Sequence, residues 1–474
     1  MLSLLNTTFT NTLRQGFTLI GRLLSKLKAR STYFENKAGT KVILQEIDSA
    51  GLLEKASIIT TPTAYSDGVL HSVKPSESPY ADFTFTRNNI GTRLNASGNI
   101  ESVGVDLPRI DYLGGSGSLL LEPEATNTAT DSNDFTTGQI FVTSANPGLT
   151  SAILTSSQAT SPDGTNNAWK LVDNNDGNTG HCAINYFNTD VITENYNTVS
   201  LFVKKQGNND WMYINNVGFD ATNRSWFNIS NGTLGTVASN HTASIDDYGN
   251  GWYRIAITFT TEFDVNGGIN IRLATSNGAV NILRDGTNGV YIYGLQAESH
   301  ATRQYATSYI ATSGGTGTRA ADLATDAGSS DLISSTEGVF YLEVAALTSI
   351  NSFESITLSN GGITERIRFM LSNIENRISI QVDTGNGSGL FRSYILSDIT
   401  AFNKIAIKYK QDDYAIWVNG VEEITVTTAA VPTLNELNFT AGSSSDGKFI
   451  GNVKCVAVFQ EALTDEELTC LTTI

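Results

Sequence analysis

Histidine, paired acids and turn-bound aspartates are where chemistry would start in this 474-residue sequence. The four histidines, His71, His181, His241 and His300, lie at least 59 residues apart. No Gly-x-Ser-x-Gly elbow presents a serine to any of them, so no local spacing announces nucleophilic catalysis. A Ser-His-Asp triad assembled in space is compatible with that, but the sequence does not point to one. Neither His-x-His nor HExxH occurs, which removes the helix-borne zinc arrangement. Glu343, in Phe340-Tyr-Leu-Glu-Val344, has no second acid nearby to complete a glycosidase pair, and reads as a solvent-facing strand residue. The reading is non-enzymatic.

Calcium is the better metal candidate. Asp173-Asn-Asn-Asp-Gly177 and Asp163-Gly164 place oxygen donors in tight turns, as a hard cation needs, with Asp173 and Asp176 as the candidate ligands. Their spacing is not that of an EF-hand loop, and Asp and Asn are also ordinary turn formers. Cys182, Cys455 and Cys470 are too few and too scattered for a disulfide framework or a zinc knuckle.

The tryptophans suggest binding. In a strand, successive side chains alternate between faces. If Tyr253, Ile255, Ile257 and Phe259 face a core, Trp252 faces the other way. Met212 and Ile214 leave Trp211 and Tyr213 outward, and Phe227 and Ile229 leave Trp226 outward. Trp417 stands opposite Tyr414, Ile416 and Val418, whereas Trp169 shares the face of Leu171. Exposed rings among Asn and Thr suit the apolar face of a sugar, so Trp211, Tyr213, Trp226 and Trp252 are the expected carbohydrate-binding residues. The competing reading is that loops or another subunit cover them.

These residues need strands to position them, and the composition supplies strands. Charged residues are only 16%, Gly numbers 42 and Pro 8, while apolar residues at 40% suffice for real cores. The formal net charge is −17; residues 1–30 hold five basic residues and no acidic one, so the rest carries −22 (25 basic against 47 acidic). A body that acidic repels phosphate backbones, which argues against nucleic acid as a partner. No apolar run is long enough for a membrane span, and a secretory signal is not evident.

Four segments follow along the chain. Residues 1–30 read as an amphipathic helix for docking or self-association, with Leu13, Phe17, Ile20, Leu23 and Leu24 at helical spacing. Residues 31–130 read as an irregular arm with short strands. Residues 131–312 and 313–474 read as two tandem antiparallel β-sandwiches, or jelly rolls, joined at Ser313-Gly-Gly-Thr-Gly317. A short helix begins at Thr464, where Glu467 completes a capping box.

Several stretches then carry a family likeness. Thr84-Phe-Thr-Arg-Asn-Asn-Ile-Gly-Thr-Arg93, Ser97-Gly-Asn-Ile-Glu101, Val105-Asp-Leu-Pro-Arg-Ile-Asp-Tyr112 and Leu119-Leu-Leu-Glu-Pro-Glu-Ala-Thr-Asn127 resemble a recurring segment of bacteriophage virion proteins. There it precedes a carbohydrate-binding-like jelly roll, matched here by Val203-Lys-Lys205, Asn250-Gly-Trp-Tyr-Arg254 and Val290-Tyr-Ile-Tyr-Gly-Leu-Gln-Ala-Glu298. Tyr305-Ala-Thr-Ser-Tyr-Ile-Ala-Thr312 and Thr318-Arg-Ala-Ala-Asp322 close the module, with Ala311 where the family usually has Pro. Asn403-Lys-Ile-Ala406, Tyr414-Ala-Ile-Trp-Val-Asn-Gly420 and Ala462-Leu-Thr-Asp-Glu-Glu-Leu468 resemble a concanavalin A-like, laminin-G-type domain. The resemblance implies a virion fibre or decoration protein with weak, multivalent glycan contacts, trimeric by analogy and docked on other virion proteins through its N-terminal region. It implies no catalytic residue.

Overall fold

The computed structural model describes residues 19–136, 140–144, 153–188, 195–217, 223–260, 267–385, 388–442 and 447–474. Strands make up 46% of the chain and helix 9%, so the mainly β expectation holds. The first sandwich is two six-stranded antiparallel sheets. One contains Cys182–Asn188, Gly267–Ala274, Trp211–Val217 and Asn223–Asn228; the other contains Ala168–Val172, Asn288–His300, Tyr196–Gly207 and Trp252–Phe259. Alternation sets what they bury. The register Val199↔Ile257, Leu201↔Ile255 aligns apolar side chains on one face, which meets Met212, Ile214, Phe227 and Ile271 of the facing sheet. Each such fully buried side chain stabilises by about 1.5–3 kcal/mol.

The second sandwich packs an eight-stranded sheet against a five-stranded one. Here the 31–130 segment departs from the irregular arm expected of it. Its strands Ala56–Thr60, Arg109–Asp111 and Ser118–Leu121 belong to the eight-stranded sheet, beside Gly451–Phe459. Phe83, Phe85, Leu119 and Leu121 lie in the same core as Phe340 and Val456. Strands of three to five residues are too short to show a period, and Ala56–Thr60 and Ser118–Leu121 pair with a strand hundreds of residues away.

Three helices cover the outer face of the eight-stranded sheet. Helix α1 (residues 19–30) and helix α2 (Lys37–Ser49) present Ile20, Leu23, Leu24, Leu27, Ile43, Leu44 and Ile47 to Tyr341, Trp417 and Ala457. The apolar stripe expected for docking is therefore covered by its own chain over residues 19–30; Leu13 and Phe17 lie outside the described residues. Helix α3 (Asp465–Thr472) starts with the expected capping box. Thr464→Ala removes the oxygen that accepts the Glu467 N–H (3.3 Å). It should cost about 1 kcal/mol, read as faster amide exchange in the first turn of α3.

The two sandwiches and the 31–130 segment meet at a buried charge cluster. Arg87, Arg109 and Arg319 surround Glu122 and Asp322, and all five are at most 3% exposed. Arg87 Nη1 lies 3.0 Å from Asp322 Oδ1, Arg109 Nη1 lies 2.7 Å from Glu122 Oε2, and Arg109 also pairs with Asp322. Burial alone would raise the Glu122 carboxyl, but Arg319 and Arg109 overcome that and hold it well below the usual carboxylate range. All five residues lie in residues 87–122 and 319–322, so the cluster ties these two stretches together.

Candidate functional site

The four aromatic residues expected to stack on sugar sit where alternation puts them, outside the interior of the first sandwich, but three are not exposed. Tyr213 is 0% exposed, Trp226 8% and Trp252 2%; Trp211 alone keeps partial exposure. The covers are specific. Trp226 Nε1 donates to the Ala279 carbonyl (2.9 Å) and the Tyr213 hydroxyl to that of Val280 (3.1 Å), so the loop after Ala274 closes over both rings. Trp252 packs with Leu94 and Ile100 of the hairpin Gly91–Leu94/Ile100–Val103, and with Phe202, Tyr293 and Tyr309. Its Nε1 donates to the Thr160 carbonyl at 3.0 Å. The expectation of exposed rings is corrected at Tyr213, Trp226 and Trp252: pointing away from one's own sheet is not the same as facing water.

What remains open beside Trp252 is a recess of about 110 Å³, whose lining includes Asn99, Thr160, Lys204, Tyr248, Asn250 and Trp252 itself. Local structure explains each position. Lys204 is the cross-strand neighbour of Trp252 and so shares its face. The Tyr248–Trp252 turn is closed by the Trp252 N–H on the Gly249 carbonyl (2.9 Å) and by the Tyr248 N–H on the Trp252 carbonyl (2.9 Å). Asn250 holds φ 53° there, a left-handed conformation that Asn tolerates better than most residues. Asn99 is set by the Asn95 side chain, whose oxygen accepts the Ser97 and Asn99 N–H groups at 2.9 and 3.0 Å. Burial pushes the Tyr248 phenol up to about 12, so its hydroxyl stays protonated near neutral pH. Lys204 forms no ion pair among the described residues. Sequence reasoning missed Asn99, Lys204, Tyr248 and Asn250 as site residues. Asn99, Lys204 and Asn250 lie far apart in the sequence, so no local spacing could mark them as one site.

Asp173 and Asp176, expected as calcium ligands, are committed to N–H donors. Asp173 is buried and accepts from Gly286 N (2.5 Å), Asn288 N (3.2 Å), Asn288 Nδ2 (3.0 Å) and Asn175 N (3.2 Å). Asp176 pairs with the buried Arg284 guanidinium at 2.8 Å. Among the described residues, no group of three or more His, Cys, Asp or Glu side chains is placed to hold a metal ion. Nor is any helix there long and apolar enough to cross a membrane.

The remaining candidates are dispersed. His241, between Ser225 Oγ (2.8 Å) and Asn216 Oδ1 (3.2 Å), is pushed down to about 4 by burial. His181 is also pushed down to about 4, by burial and then by Arg272 and Arg284. His300 Nδ1 accepts the Thr302 and Arg303 N–H groups. Glu343 is only 7% exposed, on the face the helices cover, which corrects its reading as solvent-facing. Burial raises its carboxyl, and Lys454 lies 3.8 Å away. His71, itself buried, sits between Ser66 and Asp82 at the edge of a separate recess.

No family model matches the sequence, and no curated protein matches it. Among solved structures, the chain is similar to the CBM40 module of a Ruminococcus gnavus sialidase bound to α2,3-sialyllactose. That likeness is at 14% identity and TM-score 0.26, over 30% of this chain and 84% of that one. It is similar to domain 4 of a GH43 extracellular arabinanase from Geobacillus stearothermophilus in complex with arabinotriose (14%, TM-score 0.27, 36% and 84%). It is also similar to the CBM22-1–GH10 modules of a Clostridium thermocellum xylanase with xylohexaose (13%, TM-score 0.24, 40% and 30%).

Proposed function

We propose that this chain is a virion surface protein that attaches to glycans through the recess beside Trp252. The observation that carries the reading is the convergence of Asn99, Lys204, Tyr248 and Asn250, from separate parts of the sequence, around one recess beside Trp252. Amide and ammonium donors there match sugar hydroxyl and carboxylate oxygens. A recess of about 110 Å³ holds the edge of one sugar, not an oligosaccharide. One such contact gains little after ordering costs, so useful affinity comes from several copies presented together, as a trimeric fibre or decoration protein on a particle would do.

The test is glycan-array binding by the full chain presented multivalently, with Lys204→Met and Asn250→Gly as variants. Methionine keeps the aliphatic stem, and glycine keeps the left-handed backbone. Binding by the wild type, falling at least tenfold in each variant at unchanged melting temperature, supports the recess. Silence across the array by folded protein overturns it and leaves a building block without a sugar site, the reading favoured by the covered rings of Tyr213 and Trp226. Immunogold labelling of intact particles tests the virion placement.

A further inference from the structure

We propose that Ser66, His71 and Asp82 form a serine-hydrolase centre that cleaves short acyl esters. The five-stranded sheet of Tyr33–Phe34, Ala64–Ser66, Val69–Leu70, Phe83–Thr86 and Leu323–Thr325 brings them together. Its register pairs Ser66 with Val69, Val69 with Thr84 and Leu70 with Phe83. One step further along the same ladder, His71 stands opposite Asp82, and its N–H bonds the Ala64 carbonyl (3.0 Å). Alternation turns Leu70, Phe83 and Phe85 into the core of the second sandwich. Ser66, Val69, His71, Asp82 and Thr84 are left on the opposite face.

On that face the three polar groups are connected in the order catalysis requires. Ser66 Oγ lies 2.7 Å from His71 Nε2, and His71 Nδ1 lies 3.0 Å from Asp82 Oδ2. The other Asp82 oxygen accepts the Ser72 N–H at 2.9 Å, which fixes the carboxylate. With Nδ1–H donated to Asp82, Nε2 is the free base, and it faces the serine hydroxyl. His241 offers a useful contrast: its partners are Ser225 and an uncharged Asn216, all three buried. Ser66 keeps partial exposure, and the buried His71 and Asp82 beside it help line a recess of about 530 Å³ together with Arg30, Val69, Tyr80 and Thr84. Arg30 contacts Asp82 through Nη2 and donates to the Pro75 carbonyl through Nη1 (3.4 Å), which places a guanidinium at the edge of the recess.

In the reaction, Ser66 Oγ forms a bond to the ester carbonyl carbon as its proton passes to Nε2. The tetrahedral adduct collapses, the carbon–alkoxide bond breaks, and the departing alcohol takes that proton. Water, deprotonated by the same nitrogen, then attacks the acyl-serine, releasing the carboxylic acid and restoring Ser66. The sum is ester plus water to acid plus alcohol.

The experiment is labelling of the full chain with a fluorophosphonate probe, mapped by peptide mass spectrometry, alongside hydrolysis of p-nitrophenyl acetate. One adduct on Ser66 is expected. Ser66→Ala should abolish it and return ester hydrolysis to the buffer rate, a loss of about 10³-fold or more. His71→Gln should slow both comparably, and Asp210→Ala, at an exposed position in the first sandwich, should leave both intact. A folded wild type that takes no label, or takes it elsewhere than Ser66, overturns the proposal. Because the wild-type adduct is assigned to a residue, the result stands whether or not any variant folds.

Discussion

Asp322→Ala is expected to destabilise the protein by about 3–5 kcal/mol, the cost of leaving a buried charge without its partner. Asp322 is 2% exposed and accepts from Arg87, Arg109 and the Glu122 N–H (2.9 Å). Removing its carboxylate leaves Arg87, Arg109 and Arg319 facing a single acid, Glu122, in a site closed to water. The midpoint of denaturant unfolding measures the loss. Asp210→Ala is the matched control, since its pairing with Lys205 is surface-exposed and worth at most about 1 kcal/mol. An Asp322 variant as mild as that control would show that the cluster does not hold the two sandwiches to the 31–130 segment.

The same cluster dictates a pH response. The Glu122 carboxyl is depressed in the folded state, so its stabilisation is present above the unfolded value and is lost as pH falls through the folded one. Wild-type stability should therefore decline from about pH 5 downward, and Glu122→Gln should flatten that decline while lowering stability at neutral pH.

Trp252→Ala should cost a further large amount, about 3–5 kcal/mol, as expected when a fully packed indole is truncated. The ring is 2% exposed, carries the hydrogen bond to Thr160, and is the surface on which Leu94 and Ile100 rest. The variant should lower the melting temperature and also expose the hairpin tip at residues 95–99 to limited proteolysis. Trp211→Ala, at a partly exposed ring, should change stability far less. If Trp252→Ala instead left melting and proteolysis unchanged while removing glycan binding, the indole would be a ligand platform and not a structural floor.

How much of this was legible follows from what each signal measures. Tyr253, Ile255, Ile257 and Phe259 alternate, and their strand buries that face; the capping box at Thr464 formed as written. Such features depend on neighbours within a few residues. The strands Ala56–Thr60 and Ser118–Leu121 were not legible as parts of the second sandwich, since their alignment with Gly451–Phe459 is made only when distant chain segments meet. Ser66, His71 and Asp82 were hidden for the same reason: spacings of five and eleven residues carry no motif until two hairpin strands and a third lie side by side.

The direction of every tryptophan could be read from its strand alone, because side-chain direction in a strand is a local property of a backbone with period two. Only the tertiary structure decided what lies on the far side of each sheet. For Trp252 that is a hairpin from the 31–130 segment, for Trp226 the loop through Ala279, and for Trp417 the helices. Solvent exposure is a property of the whole packed chain, so period-two logic could orient these rings but could not uncover them.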